Sequence, residues 1–307
     1  GCVDPCRDAR PQHDDLVPAG THEESGLPGP EAVFCWPMAM RPTAPSRPGR
    51  AGSKVTAMSV NMWREVRWLD HTGSTNSDVA EEARRGEAEG LVVATLEQRA
   101  GRGRMDRAWV APPGTSLAFS MLLEPRPERP HWGWLSLLAG IAVHEAVDGL
   151  APEPGRVQLK WPNDVLIDGR KVCGILNKLV EHPDGDRAVI GIGVNVSIRE
   201  DQLPVPTATS LRIAGLCEDP KQLLGSILER FQPLYEHWQE AGEVRDEYQR
   251  RCASIGTPLR IVVDERRIVE GIGHGVDEHG RLRVATASGI ETFAVGDVIH
   301  ARLARRT

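Results

Sequence analysis

Gly101-Arg102-Gly103-Arg104-Met105-Asp106-Arg107-Ala108-Trp109 lies between two largely apolar runs, Leu91 to Glu97 and Ser116 to Leu123. Both runs have the length and apolar character of strands, the first partly β-branched, so a charged, glycine-interrupted loop hangs between two strands. Glycines let backbone approach a ligand closely, and guanidinium groups pair bidentately with carboxylate or phosphate. With Arg99, residues 99 to 107 carry four arginines against one aspartate, while the whole chain has a formal net charge of -6. The positive charge is therefore local, as a small anionic substrate requires, and not spread over a face as nucleic acid prefers.

Outward from the loop, short apolar strands alternate with amphipathic helices. Val66 to His71 reads as a strand, and Gly73-Ser74-Thr75-Asn76 offers caps for a helix running through about Arg85. His131 to Leu150 sets Trp132, Leu135, Leu138, Ala142, Val143 and Ala146 at helical spacing. Val157 to Trp161 is a further strand, followed by the turn-rich Pro162-Asn163-Asp164. Val189 to Val196 reads as a central strand covered on both faces. Leu223 to Trp238 forms a second buried helix, with Pro233 expected to kink it. After about Arg251 short strands (Leu259 to Val263, Ile268 to Ile272, Leu282 to Ala285, Val298 to Leu303) alternate with turns such as Asp277-Glu278-His279-Gly280, as in a small barrel.

A chain of 307 residues at 40% hydrophobic content can bury one large core or two modest ones, and two domains are expected. No apolar run reaches the length of a membrane span and no signal peptide is indicated, so a cytoplasmic protein without membrane attachment is expected. Cys2, Cys6, Cys35, Cys173, Cys217 and Cys252 are read as thiols, and Cys2, Cys6 and His13 lack a fourth ligand for zinc. The first sixty residues hold nine of the 23 prolines and no sustained period, so residues 1–62 read as a disordered leader. Met58 and Met62 precede the patterned region, so the leader is read as a possible over-extension of the coding sequence, which endogenous peptides from upstream of Met58 would rule out.

Four regions need one explanation: Ser74-Thr75-Asn76; the arginine loop with Gln98 before it; Lys160-Trp161-Pro162-Asn163-Asp164 continuing to Lys171 and Gly174-Ile175-Leu176; and Gly191-Ile192-Gly193-Val194-Asn195. None is a Walker A loop, and Gly191-x-Gly193 lacks the third glycine of a dinucleotide fingerprint. What remains supplies lysines, arginines, an Asn-Asp pair and an indole, suited to a nucleotide and a second anion side by side.

In their order these motifs resemble biotin protein ligase, from about Val66 to Leu303. The resemblance implies an α+β fold: a mixed-sheet catalytic domain of the class II aminoacyl-tRNA synthetase and biotin ligase type over 63–253, then an SH3-like β-barrel over 254–307. It implies an ATP- and Mg2+-dependent ligase that converts biotin to biotinyl-5′-adenylate and transfers it to a lysine of a biotin carboxyl carrier domain. The implied catalytic residues are Arg104, Lys171 and Asp164. The implied biotin site is Ser74, Thr75, Asn76, Gln98, Gly101, Arg102, Gly103, Arg104, Lys171, Gly174, Gly191 and Gly193, the last two leaving room for the ligand. Arg104, Arg107, Trp109, Asn163, Lys171 and Asn195 are the implied ATP contacts, with Asp164 a metal ligand or an aid to deprotonating the acceptor amine. Family members also use a sheet edge near the site for partner or self-association.

Blander readings stand beside these. Trp109 and Trp161 suit a core, Asp164 a turn, Ser74 and Asn76 a helix cap, Lys160 a solvated strand end, His144 a satisfied core or surface position, and Cys173 simple packing. Some relatives carry a DNA-binding repressor domain, but the proline-rich leader and negative net charge argue against DNA binding here. A biotin-adenylate binder with little ligase activity is the alternative function, and lipoate or octanoate transfer a weaker one.

The sequence departs from the family pattern twice: Asp106 stands where glycine is usual, and Lys178 where an acidic residue often stands. Asp106 sets a negative charge among the arginines and a Cβ where the backbone is expected to need none. Asp106→Gly is expected to raise the rate or lower the ATP requirement in a steady-state assay; an unchanged or slower variant contradicts this.

Overall fold

Strands buried from both sides form the centre of the molecule: β2 (Leu91–Thr95), β5 (Ser116–Leu123) and β9 (Arg187–Asn195) are buried at every position. The computed structural model describes residues 61–217, 219–264 and 267–300, and for Asp106 the backbone alone. The expected leader, the Cys2, Cys6 and His13 grouping, Cys35, Met58 and Leu303 lie outside the described residues.

In chain order the elements before the second sheet are β1 (Glu65–Leu69), α1 (Thr75–Arg84), β2, β3 (Gly101–Arg102), β4 (Ala108–Trp109), β5, α2 (Gly133–Asp148), β6 (Val157–Lys160), β7 (Asp164–Ile167), β8 (Arg170–Val180), β9, α3 (Pro220–Ala241) and α4 (Arg245–Gln249). Seven strands form one sheet in the order β1-β2-β5-β9-β8-β7-β6, with β1 and β2 parallel and the other pairs antiparallel. The sheet is therefore mixed. The sequence reading did not pick out β7, β8 or α4. α3 continues through Pro233 to Ala241, and Asp219 caps its start by accepting from the Lys221 N–H at 2.9 Å.

Strand side chains alternate between faces, so the pairing register assigns every residue a side. Val92, Ala94, Leu117, Phe119, Met121, Ile190, Ile192, Val194, Cys173, Ile175 and Val165 share one face and join the main core. α2 and α3, packed against each other, contribute Leu138, Ile141, Ala142, Leu224, Ile227 and Phe231 to that core. Burying each such large side chain contributes about 1.5–3 kcal/mol before entropy is subtracted. On the opposite face, Val79, Ala80 and Ala83 of α1 pack on Leu91, Val93, Leu122, Val180 and Val189. The rest of that face carries small or polar residues instead: Ser116, Ala118 and Ser120 on β5, Gly191, Gly193 and Asn195 on β9, and Gly174 on β8. The two sides of β9 thus differ, one core and one floor.

A second sheet follows, of β10 (Pro258–Val262), β11 (Ile268–Val276), β12 (Leu282–Thr286), β13 (Gly289–Phe293) and β14 (Asp297–His300). All pairings are antiparallel, in the order β13-β12-β11-β10-β14. Among the described residues β13 and β14 do not pair, so the expected barrel is an unclosed five-stranded sheet. Leu259, Ile261, Val276, Leu282 and Val284 bury into the same core as the first sheet. The predicted Asp277 turn is ordered by its own carboxylate, which accepts from the His279 and Arg281 N–H groups at 3.0 and 2.9 Å. Two indoles hold that turn: Trp134 donates to the Glu278 carbonyl at 2.8 Å and Trp161 to that of Gly280 at 3.0 Å.

Candidate active site

The floor of the site is the small-residue face of β5, β9 and β8. Its glycines do not open onto empty space: a Cβ on Gly191 would fall 2.3 Å from the Asn76 amide, and one on Gly193 would fall 2.0 Å from the Trp109 ring. The expected room for a ligand above these two positions is taken by protein side chains. Gly174 lies under the same indole, and Trp109 is only 6% exposed. Trp109 also packs on Ile198 and Ala208, as its core reading expected.

At one end of this floor, α1 begins. Ser74 takes the N-cap position, with φ -160 and ψ 121, but its side chain makes no capping bond. Gln98 Oε1 accepts from the Thr75 N–H at 2.9 Å and its hydroxyl at 3.3 Å. The Ser120 hydroxyl lies 2.8 Å from both Thr75 Oγ1 and Asn76 Oδ1, while Asn76 Nδ2 donates to the Leu176 carbonyl at 3.1 Å. Five predicted positions, Ser74, Thr75, Asn76, Gln98 and Gly191, therefore converge here. Ser120 was missed, although its alternation with Phe119 and Met121 was the available signal.

The arginine loop is a hairpin of β3 and β4, pairing Gly101 with Trp109 and Arg102 with Ala108. Gly101 must lack a side chain, since a Cβ would meet Gln98 Nε2 at 2.5 Å and Trp109 Cβ at 2.8 Å. Arg102 is exposed. At the tip, Gly103 N–H donates to the Arg107 carbonyl at 2.7 Å, and Met105 adopts left-handed φ 54, ψ 39. The position that would favour glycine is thus Met105 and not Asp106, which corrects the backbone argument made for Asp106→Gly.

Lys160 ends β6, Trp161 is buried before a cis peptide bond to Pro162, and Asp164 opens β7. Residues three apart on a regular strand face opposite ways, yet Lys171 and Gly174 share a face. A bulge explains it: Val165 pairs with Cys173 but Leu166 with Lys171, leaving Val172 extra. The reversal brings Lys171 Nζ to 2.7 Å from Asp164 Oδ1, with Lys160 Nζ 3.9 Å from Oδ2. Burial alone would raise the Asp164 carboxyl, but the Lys171, Lys160 and Arg104 cations outweigh it and hold it below its ordinary value.

Arg104 reaches this group from above. Its Nη1 donates to the Gly296 carbonyl at 3.2 Å and lies 3.5 Å from Asn163 Oδ1, and Asn163 Nδ2 donates to the Ile175 carbonyl at 2.7 Å. Burial pulls its pKa down, while Asp297 and Asp164 oppose that. Arg107, expected to face phosphates, instead pairs with both carboxylate oxygens of Asp297 at 2.6 Å. Nothing local in the sequence marked Gly296 or Asp297. Asn195 is wholly buried, donates to the Thr209 carbonyl, and leaves Oδ1 without a partner. Cys173 lies on the core face, its thiol pushed well above its ordinary pKa by burial. His144 is a core residue whose Nε2 meets the Val157 carbonyl at 3.0 Å. Among the described residues no three His, Cys, Asp or Glu side chains gather to hold a metal. Asp164, shared between two ammonium groups, does not fit a dedicated metal ligand.

The Biotin/lipoate A/B protein ligase family model matches residues 53–195, and the Biotin protein ligase C terminal domain model matches residues 255–301. The biotin--[acetyl-CoA-carboxylase] ligase of Mycobacterium tuberculosis is 33% identical over 246 residues, spanning 78% of this chain and 90% of that protein. The chain belongs to the biotin protein ligase family. The bifunctional ligase/repressor BirA of Bacillus subtilis is 32% identical over 77% of this chain and 74% of its own length. Among solved structures, the Aquifex aeolicus biotin protein ligase in complex with biotin and ATP superposes with a TM-score of 0.66 at 27% identity, covering 78% of this chain and all of that one.

In this family member the depressed Asp164 carboxyl makes a signed prediction. Its ion pairs contribute stability above the ordinary carboxylate pKa, lost only as pH falls through the lower folded value. Asp164→Asn should destabilise the protein by about 3 kcal/mol, since it leaves two lysines facing a neutral group. Chemical denaturation should give a difference constant from about pH 9 to 5 that shrinks below about pH 4; a difference titrating near neutrality contradicts the assignment.

Proposed function

We propose that this chain activates biotin with ATP to biotinyl-5′-adenylate and transfers the biotinyl group to a lysine of a biotin carboxyl carrier domain of an acyl-CoA carboxylase. The observation that carries the reading is the convergence of Lys171, Asp164 and Arg104 beside the glycine floor, in a chain of this family. We divide it into a catalytic domain over 63–253 and a C-terminal domain over 254–307, acting in the cytoplasm.

The biotin carboxylate is already ionised at neutral pH, so the first step needs no base. A carboxylate oxygen attacks the α-phosphorus of ATP, the P–O bond to the β-phosphate breaks, and pyrophosphate leaves with the electron pair. Negative charge gathers on the α-phosphoryl oxygens, where Lys171 and Arg104 stabilise it from fixed positions. Asp164 serves by holding Lys171 and Lys160, and Mg2+ is supplied with the ATP phosphates to screen their charge. Ser74, Thr75, Asn76 and Gln98 present hydroxyl and amide groups to the biotin ring, with Gly101, Arg102 and Gly103 closing above it. We assign the orphaned Asn195 Oδ1, on the same face of β9 as Gly193 and covered in this structure, to accept from the adenine amino group, with Trp109 and Asn163 as the other nucleotide contacts.

In the second step the acceptor ε-amine attacks the mixed-anhydride carbonyl, the bond to AMP breaks, and the amine proton passes to solvent or to AMP. No enzyme nucleophile is required, which agrees with a Cys173 thiol that is buried and un-ionised. A docking edge is available. Ile175 exchanges bonds with Asn163 on the side of β8 away from β9, so Asn177 and Leu179 turn their backbone groups to that same side, where no strand pairs with them among the described residues. We assign this edge, with Lys178 beside it, to the carrier domain.

The test is transfer of labelled biotin from biotin and MgATP to a purified carrier domain, with pyrophosphate release followed in parallel and Arg104→Ala as control. Label on the carrier, lowered at least a hundredfold by Arg104→Ala, is the expected result. Neither label nor pyrophosphate from folded protein overturns the reading in favour of a biotin-adenylate binder.

A further inference from the structure

Amines are scarce in this chain. Of its 37 lysine and arginine residues five are lysines (Lys54, Lys160, Lys171, Lys178 and Lys221), and Lys54 lies outside the described residues. A guanidinium keeps its proton, so these few lysines are the side-chain amines that can attack a mixed anhydride. Lys178 and Lys221 are exposed, whereas Lys160 and Lys171 stand together at the site with side chains 28% and 24% exposed. Lys171 Nζ lies over the floor itself: a Cβ on Gly174 would fall 3.3 Å from it and 3.1 Å from the Trp109 ring. This placement carries a hazard. A lysine partly desolvated beside a second cation is driven to lose its proton, and a neutral amine so placed is a nucleophile. Asp164 opposes that, with Oδ1 2.7 Å from Lys171 Nζ and Oδ2 3.9 Å from Lys160 Nζ. Its side chain is 13% exposed, so water screens these pairings less than it would on an open surface. Burial works to raise its carboxyl, but the two lysines hold it below its ordinary value, so it stabilises the ammonium groups without taking a proton from them.

We propose that Asp164 directs the acyl group to the acceptor protein by keeping Lys171 and Lys160 as ammonium ions, which prevents the chain from acylating itself with its own biotinyl-5′-adenylate. This role rests on the proposed ligase reading, in which Lys171 stands beside the α-phosphate and the carboxyl being activated. The suppressed step balances in atoms and electrons. A neutral Lys171 Nζ would attack the mixed-anhydride carbonyl, the C–O bond to the phosphate would break, AMP would leave with the electron pair, and the amine proton would pass to solvent. Proximity makes the hazard large, since well-oriented neighbours react at effective concentrations of about 10⁵ M or more. A rival account has Asp164 only fixing the position of Lys171. The two differ in what happens when Asp164 is neutralised: lost positioning leaves Lys171 intact, whereas lost protection leaves it acylated.

Preformed biotinyl-5′-adenylate, added in stoichiometric amount to the full chain without carrier, tests this by peptide mass spectrometry, after calorimetry has established binding. Wild type should carry less label on Lys171 than on the exposed Lys178, although proximity alone would favour Lys171 strongly. Asp164→Asn should label Lys171 about ten times faster than wild type or more, up to one group per chain, with Lys178 and Lys221 unchanged. Asp164→Glu, which keeps the carboxylate, should protect Lys171, and combining Asp164→Asn with Lys171→Arg should abolish the added label, because arginine keeps the charge without a free amine. An Asp164→Asn protein that binds the adenylate and leaves Lys171 unlabelled overturns the protective role. So does a wild type in which Lys171 is labelled faster than Lys178, a comparison that stands even if Asp164→Asn does not fold. A wild type that does not bind the adenylate overturns the ligase reading, and the protective role with it, so the two failures are told apart at the calorimetry step.

Discussion

A paired strand has two faces and no third, so residues that make a binding floor must be interleaved with residues that make a core. β5 and β9 obey this constraint along their lengths. Phe119 and Met121 drive into the packing of α2 and α3, while Ala118 and Ser120 between them face the site; Ile190 and Ile192 do the same for Gly191 and Gly193. Slipping either strand by one residue would put isoleucine or phenylalanine into the site and glycine or serine into the core. The large side chains thus fix the position of the small ones, and the site inherits its geometry from the hydrophobic core. The bulge at Val172 is where the β7/β8 register departs from this alternation, and it is what allows Lys171 to meet Asp164.

Much of this was legible in the sequence, for reasons that differ by element. Ser116–Leu123 is uniformly apolar or small because both its faces are buried, and its limits were read without error. α2 was readable because Leu135, Leu138, Ala142 and Val143 keep helical spacing, and tertiary packing agrees with local preference there. β7 was hidden in a four-residue run that began inside an apparent turn. β8 carries Lys171, Lys178 and two asparagine or glycine positions in an order that follows the site and its open edge, not a simple two-residue period. The unclosed second sheet could not be foreseen, because strand count does not reveal whether the two edges pair.

The site residues divide in the same way. Those within one motif, such as Thr75 with Asn76 or Lys171 with Gly174, were implied by the family resemblance, and nearness in the chain makes their nearness in space easy to foresee. The role of glycine was misjudged in part: Gly191 and Gly193 were assigned open space, but they yield it to Asn76 and Trp109. A missing side chain tells a reader that something approaches closely, and the intruder can be protein as readily as ligand. Asp297 lies 190 positions from Arg107, and an Asp after Gly before a terminal strand looks like any turn. Only the fold makes that distance short.

The resting balance of charge at the site follows from these placements. Lys160, Lys171, Arg104 and Arg107 gather around Asp164 and Asp297, four cations to two carboxylates, in a chain whose net charge is negative. Two carboxylates are enough to orient the four cations and too few to neutralise them. The remaining positive charge lies among partly buried groups, where the effective dielectric is below that of water and fixed charges act more strongly on an incoming anion. Were the carboxylates absent, mutual repulsion would spread the cations apart; were there two more, an arriving phosphate would find no unsatisfied charge. The arrangement is thus ordered in advance and still attractive to a polyanion, and both properties depend on a loop, a bulge and a distant strand being held in one register.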